Sequence, residues 1–109
     1  MQTIRSSREI DAMFRGGTKI WHPLVMLLVA PSPQDSADGR VCFVAGRRLG
    51  GAVKRNRIRR VLREAARRAG GPRAPLDIVF VARPGVETAS QNEIDAAMQS
   101  VLRRAEALW

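Results

Sequence analysis

Apolar positions recur along this chain with two periods, and each period marks an element. Ile10, Met13 and Phe14 lie one helical turn apart behind Ser6 and Glu9, whose spacing is that of a capping box, and Gly16-Gly17 ends the stripe. The pattern predicts a short helix over about 6–15. Lys19 to Trp21 and Leu24 to Ala30 read as strand, interrupted at His22-Pro23 because proline has no N–H to give a ladder. Val41 to Ala45 is a third strand. Asp77 to Ala82, within PLDIVFVARPG, is a fourth, apolar on both faces as a central strand would be. Between these two the period returns to 3.6: Ile58, Val61, Leu62, Ala65 and Ala69 mark a helix over about 54–69. A last helix opens on a second capping box, Ser90 with Glu93, and carries Ile94, Ala97, Met98, Val101, Leu102, Ala105 and Leu108 on one side.

The order is therefore α-ββ-β-α-β-α. A strand, a helix of about 16 residues and an apolar strand form a crossover unit inside an otherwise antiparallel arrangement, which predicts a two-layer α/β sandwich on a mixed four-stranded sheet. Pro, Gly, Ser and Asp mark loops at 31–39 and 70–73, both too short to divide the chain, and no internal repeat is present. One domain over residues 1–109 is expected. The longest apolar run, Leu24 to Ala30, is strand-sized. It is far short of the ~20 residues of a membrane span, and lies too far along the chain for a signal peptide.

One cysteine and one histidine exclude an internal disulfide and a Cys/His zinc set, which fits a reducing, cytoplasmic setting. Cys42, in VCFVA, reads as a small buried hydrophobe before it reads as a reactive thiol, and His22, before a proline, reads as structural. No paired carboxylates, Ser/His/Asp set or metal-ligand cluster stands in the chain, so a protein active site is not expected.

Charge changes the picture most. The chain has 19 Lys+Arg against 10 Asp+Glu, a net +9 and a pI near 11.6, and a field of that sign recruits polyanions. Its cations cluster on the second helix, VKRNRIRRVLREAARR over 53–68. With the apolar stripe facing the core, Asn56, Arg59, Arg60, Arg63 and Arg67 face away, with Arg57 and Arg68 at the edge and Glu64 the one interruption. Lys54, Arg55 and Arg57 stand near an electropositive helix start, and Arg59/Arg63/Arg67 repeat at i, i+4; both arrangements oppose the helix. An element that breaks two helix rules at once points to an anionic ligand. Arg47, Arg48, Gly50 and Gly51 precede it, so arginines, flexible backbone and free N–H groups suited to a phosphate converge there, although GRRLGGAVKRN matches no nucleotide-loop motif.

The motif KRNRIRRVLRE, with GRRLGGAV before it, DIVFVARPG after it and SREIDAMFRGGT near the start, resembles the bacterial ribonuclease P protein subunit, whose arginine-asparagine-arginine signature falls on Arg55, Asn56 and Arg57. The resemblance covers nearly the whole chain. It implies a fold like the second domain of ribosomal protein S5, with a left-handed β-α-β crossover where general rules favour a right-handed one. It also implies a non-catalytic protein that joins a catalytic RNA, the ribonuclease P RNA, to remove the 5′ leader of precursor tRNA. Magnesium would then be held mainly by the RNA and substrate, with no membrane and no obligate protein partner. Arg47, Arg48, Lys54, Arg55, Asn56 and Arg57, with Arg59, Arg60, Arg63 and Arg67, would contact the RNA subunit. Ile10, Phe14, Leu28, Val44, Gly46, Arg83 and Leu102 would line a cleft for single-stranded leader. Of these only Phe14 carries a ring that can stack on a base, and Ile10, Leu28 and Leu102 serve equally well as core. The basic segment ahead of the first helix is reduced to Arg5 and Arg8. The alternative on the residues alone is a ribosomal or other structural RNA-binding protein with no processing role. A DNA-binding module is disfavoured because no helix and tight turn precede the basic helix, and a membrane-surface helix because the bulky apolar face is missing.

Overall fold

The structure, a computed structural model, describes residues 1–32, 39–73 and 75–108. Along the chain run β1 (Gln2–Thr3), α1 (Ser7–Gly16), β2 (Thr18–Ile20), β3 (Val25–Pro31), β4 (Arg40–Val44), α2 (Ala52–Arg68), β5 (Leu76–Ala82) and α3 (Gln91–Ala107), with 3₁₀ turns at Arg47–Leu49 and Pro84–Glu87. The strands form one sheet in the order β1-β4-β5-β3-β2. β4 and β5 are parallel neighbours joined through α2, while β3 runs antiparallel to both β5 and β2. The mixed sheet and the crossover are those expected, and β5 is central. The expected four strands become five, because Gln2–Thr3 adds a parallel edge to Arg40–Val41. Two exposed polar residues carry no period to read. What holds them is the next residue, Ile4, which is buried and donates its N–H to the Val41 carbonyl at 2.7 Å. The loop expected over 31–39 falls, for residues 33–38, outside the described residues.

Strand alternation sends Val25, Leu27 and Val29 of β3, Val41 and Phe43 of β4, and Ile78 and Phe80 of β5 to one face, against Ile58 and Leu62 of α2 and Met98 and Val101 of α3. Phe43 and Phe80 stack at 4.8 Å in the middle of this layer. Full burial of each such side chain contributes about 1.5–3 kcal/mol, so this face supplies most of the stability. α2 buries Ala66 as well as the expected Ala65, while Val61 and Ala69 are only half-buried: the stripe is turned slightly from its predicted position.

Among the described residues, the opposite face is covered by α1 at one end. Met13 of α1 packs with Ile4, Met26, Leu28 and Val79, and Ile10 adds a half-buried contact. Arg40 pins α1 there. Its guanidinium donates to both carboxylate oxygens of Asp77, at 3.0 and 2.5 Å, and to Glu9 of α1 at 2.6 Å. Hydrogen bonding to Asp77 and then Glu9 outweighs the opposing effect of burial and raises the Arg40 pKa above its ordinary value. This also corrects the first capping box: Ser6 Oγ accepts from the Glu9 N–H at 3.3 Å, but the Glu9 carboxylate turns to Arg40 instead of closing the box. A buried charge needs its partner more than a box needs its second bond.

Candidate nucleic-acid interface

α2 begins at Ala52, two residues before the expected start. Gly51 caps it in extended conformation without a side-chain acceptor, and no acid stands in the first turn. The earlier start moves Arg55 and Arg57 toward the second turn, where the dipole penalty has faded, and leaves Lys54 as the cation in the first. Lys54 pairs with Glu87 at 3.2 Å across the mouth of a groove of about 150 Å³ floored by Ile58, Val86 and Ile94. The dipole conflict is thus milder than the sequence suggests. The like-charge array is not.

Arg57, Arg60, Arg63 and Arg67 are exposed with Asn56, while Arg55 and Arg59 are half-buried. Arg59 donates to the Asn56 side chain, and the Arg63 guanidinium lies 5.3 Å from the Phe43 ring centre. Arg68 differs: it reaches Asp95 of α3 at 2.7 Å and ties the two helices together. Among the described residues, Arg47, Arg48, Arg55, Arg57, Arg59, Arg60, Arg63 and Arg67 make no ion pair. Eight unneutralised guanidinium groups on one turn and along α2, Arg55 at the half-buried margin with its Nε buried and unpartnered, form a surface for closely spaced phosphates.

Arg47 and Arg48 lie in a 3₁₀ turn instead of the expected flexible loop. Leu49 is buried beneath it, and the Leu49 and Gly50 N–H groups are bonded to Gly46 and Arg47 carbonyls, so they are not free for a phosphate. Gly50 is required here: its φ is +127°, and a Cβ would meet the Lys54 side chain at 2.7 Å.

The second region is the half-covered sheet face. Val44 pairs with Val81 and Val81 with Met26, giving an apolar row across three strands whose Met26 end is buried in the cluster with Met13. Val44 and Val81 are half-buried; Gly46 is exposed, with open space where a Cβ would stand. Arg83 continues the Val79-Val81 side past the end of β5, and Phe14 of α1 is 41% exposed beside half-buried Ile10. Cys42 lies on this face too. Burial pushes its thiol pKa up against the opposing charges of Arg63 and Arg59. Two members of the expected cleft are elsewhere. Leu28 is fully buried beneath α1, and Leu102 packs in the core on the other side of the sheet, both drawn in by apolar burial.

One residue was not foreseen. Trp21, expected to end a strand, lies just beyond β2 with 56% of its surface exposed and the Arg83 guanidinium 5.4 Å from its ring centre. Alternation after Ile20, which is buried on the α3 side, was the available clue. His22 has a local role, its Nδ1 accepting the Leu24 N–H at 3.0 Å.

Among the described residues, no cluster of His, Cys, Asp and Glu could hold a metal ion, and no helix is long and apolar enough to cross a membrane. The sequence profile of the family described as Ribonuclease P matches residues 1–106. The ribonuclease P protein component of Herpetosiphon aurantiacus is 37% identical over 109 residues, covering 99% of this chain and 86% of its own length. Among solved structures, the RNase P protein of Staphylococcus aureus superposes with a TM-score of 0.83 at 20% identity, over 97% of this chain and 96% of that one. That of Thermotoga maritima gives 0.81 at 24% identity, over 95% and 97%. At these identities the two structures speak for the fold.

Proposed function

Since the chain belongs to the ribonuclease P protein family, and so to the protein component of an endoribonuclease ribonucleoprotein, we propose how it serves that particle: the α2 face binds the catalytic RNA while the half-open sheet face receives the 5′ leader of precursor tRNA. The observation that carries this reading is the set of eight arginines on α2 and the turn before it that make no ion pair among the described residues, together with half-buried Val44 and Val81 on the opposite sheet face. Phosphates of the RNA subunit meet Arg47, Arg48, Arg55, Arg57, Arg60, Arg63 and Arg67. The leader lies over Val44, Gly46 and Val81, with Phe14 stacking on a base and Arg83 meeting a phosphate.

Among the described residues no cluster suited to hold magnesium is present, and the ion is assigned to the RNA and substrate, with the protein taking no part in bond breaking. Its contribution is positioning and charge: guanidinium groups screen packed phosphates that metal ions would otherwise have to screen. The particle works in the cytoplasm with no obligate protein partner.

Cleavage of precursor tRNA by the partner RNA, titrated with magnesium, tests this. Added protein lowers the magnesium required, and protein freed of RNA releases no leader at any magnesium concentration. Leader release by RNA-free protein would sink the reading. Phe14→Leu separates the cleft from the core: it weakens binding of precursor tRNA and spares mature tRNA, whereas a purely structural Phe14 affects both equally or neither.

A further inference from the structure

Trp21 is the largest apolar side chain the described fold leaves in solvent, and it is held there by two arginines from different elements. Arg83, after β5, lies 5.4 Å from its ring centre and donates to the His22 carbonyl at 3.2 Å; Arg104, from α3, donates to the Trp21 carbonyl at 2.9 Å. The antiparallel register pairs Ile20 with Leu27, and Trp21 follows directly after the last paired residue, so strand alternation turns it away from the face that buries Ile20 and toward the face of Val81. Arg83 stands on the same side as Val81. An indole fixed at the rim of an apolar strip, one face against a guanidinium and more than half its surface open, is built to be stacked upon.

We propose that Trp21 is a stacking platform for an unpaired nucleobase of single-stranded RNA, with Arg83 behind the ring and Arg104 fixing its backbone. This rests on the reading of the sheet face as a leader cleft and extends it: the strand crosses Val44 and Val81 and ends with one base on Trp21, at the opposite rim from α2. The occupant is RNA and not an apolar protein surface because the ring is framed by Arg83 and Arg104 and lies near Lys19, a cationic setting that suits a phosphate on either side of a stacked base.

The chain has two tryptophans, so Trp109→Phe leaves Trp21 as the sole indole emitter. Full-length protein of this background is titrated with an eight-nucleotide single-stranded RNA at low salt. Expected is a change in Trp21 emission on binding, and an affinity loss on the order of 5- to 150-fold in Trp21→Ala, with the log–log salt slope unchanged and most affinity restored in Trp21→Phe. RNA binding with unchanged emission and an affinity within about twofold in Trp21→Ala overturns the platform and leaves the cleft standing. A loss that lowers the salt slope, or that Trp21→Phe does not rescue, overturns the platform and leaves Trp21 only as a support for the Arg83 phosphate contact. Failure of the unsubstituted protein to bind the RNA overturns the cleft reading, and the platform with it. An emission change that follows protein concentration without RNA assigns the indole to a second copy of the chain and overturns it too.

Discussion

α2 and α3 are each 17 residues long, lie side by side on one sheet face and bury stripes into the same core, yet they are built on opposite principles. α3 is self-sufficient. Ser90 Oγ accepts the Glu93 N–H at 3.1 Å, Glu93 accepts the Ser90 N–H at 2.9 Å, an acid stands in the first turn and Arg104 in the last. α2 has a glycine cap, no first-turn acid and arginines at i, i+4, and it borrows its acids from outside: Glu87 for Lys54 and Asp95 for Arg68. Tertiary packing lets a helix keep an unfavourable outer face, and a polyanion turns that face from a liability into a binding surface.

The sharpest attempt to break this contrast is charge removal on each helix. Arg55, Arg57 and Arg60 changed together to Ala weaken binding of the RNA subunit on the order of 100-fold at moderate salt, while Arg103→Ala, an exposed change on α3, alters it less than about twofold. Circular dichroism shows both variants folded. Equal losses would erase the distinction between the helices.

Caps provide the converse. Ser90→Ala lowers stability by about 1 kcal/mol in urea unfolding and leaves affinity for the RNA subunit unchanged, since α3 depends on its cap and Ser90 is no part of the α2 face. The same cap carries a pH dependence. Hydrogen bonds from the Ser90 backbone and side chain hold the Glu93 carboxyl below its ordinary 4.5. Its contribution is therefore complete above that value and is lost as pH falls through the lowered folded value. Glu93→Gln flattens that part of the stability–pH curve, and a curve identical to that of the unsubstituted protein would detach Glu93 from the cap. The smallest effect is expected at Gly51→Ser. The site is extended, a Cβ meets nothing within 4 Å, and the gain is a few tenths of a kcal/mol with RNA affinity unaltered.

Periodic burial made the long elements legible: three helices, the central strand and the crossover all follow from apolar spacing. β1 was illegible because two polar residues are held by Ile4 and by an edge that only the fold creates. Charge clustering revealed the α2 face, but its pairing was hidden, since Lys54–Glu87 and Arg68–Asp95 join residues 33 and 27 positions apart. The cleft was least legible. Leu28 and Leu102 have the same character as Val44, and only the sheet's two faces separate buried from available; Trp21 looked like the end of a strand until Arg83 was found beside it.

The central claim is that unpaired arginines on α2 meet RNA phosphates, and the salt dependence of affinity for the RNA subunit measures this directly. A plot of log affinity against log salt for the unsubstituted protein is steep, and the Arg55, Arg57, Arg60 triple-alanine variant flattens it by about three units, one per lost phosphate contact. Parallel lines for the two proteins would mean that these arginines touch no phosphate and that the α2 face is only a solvated surface.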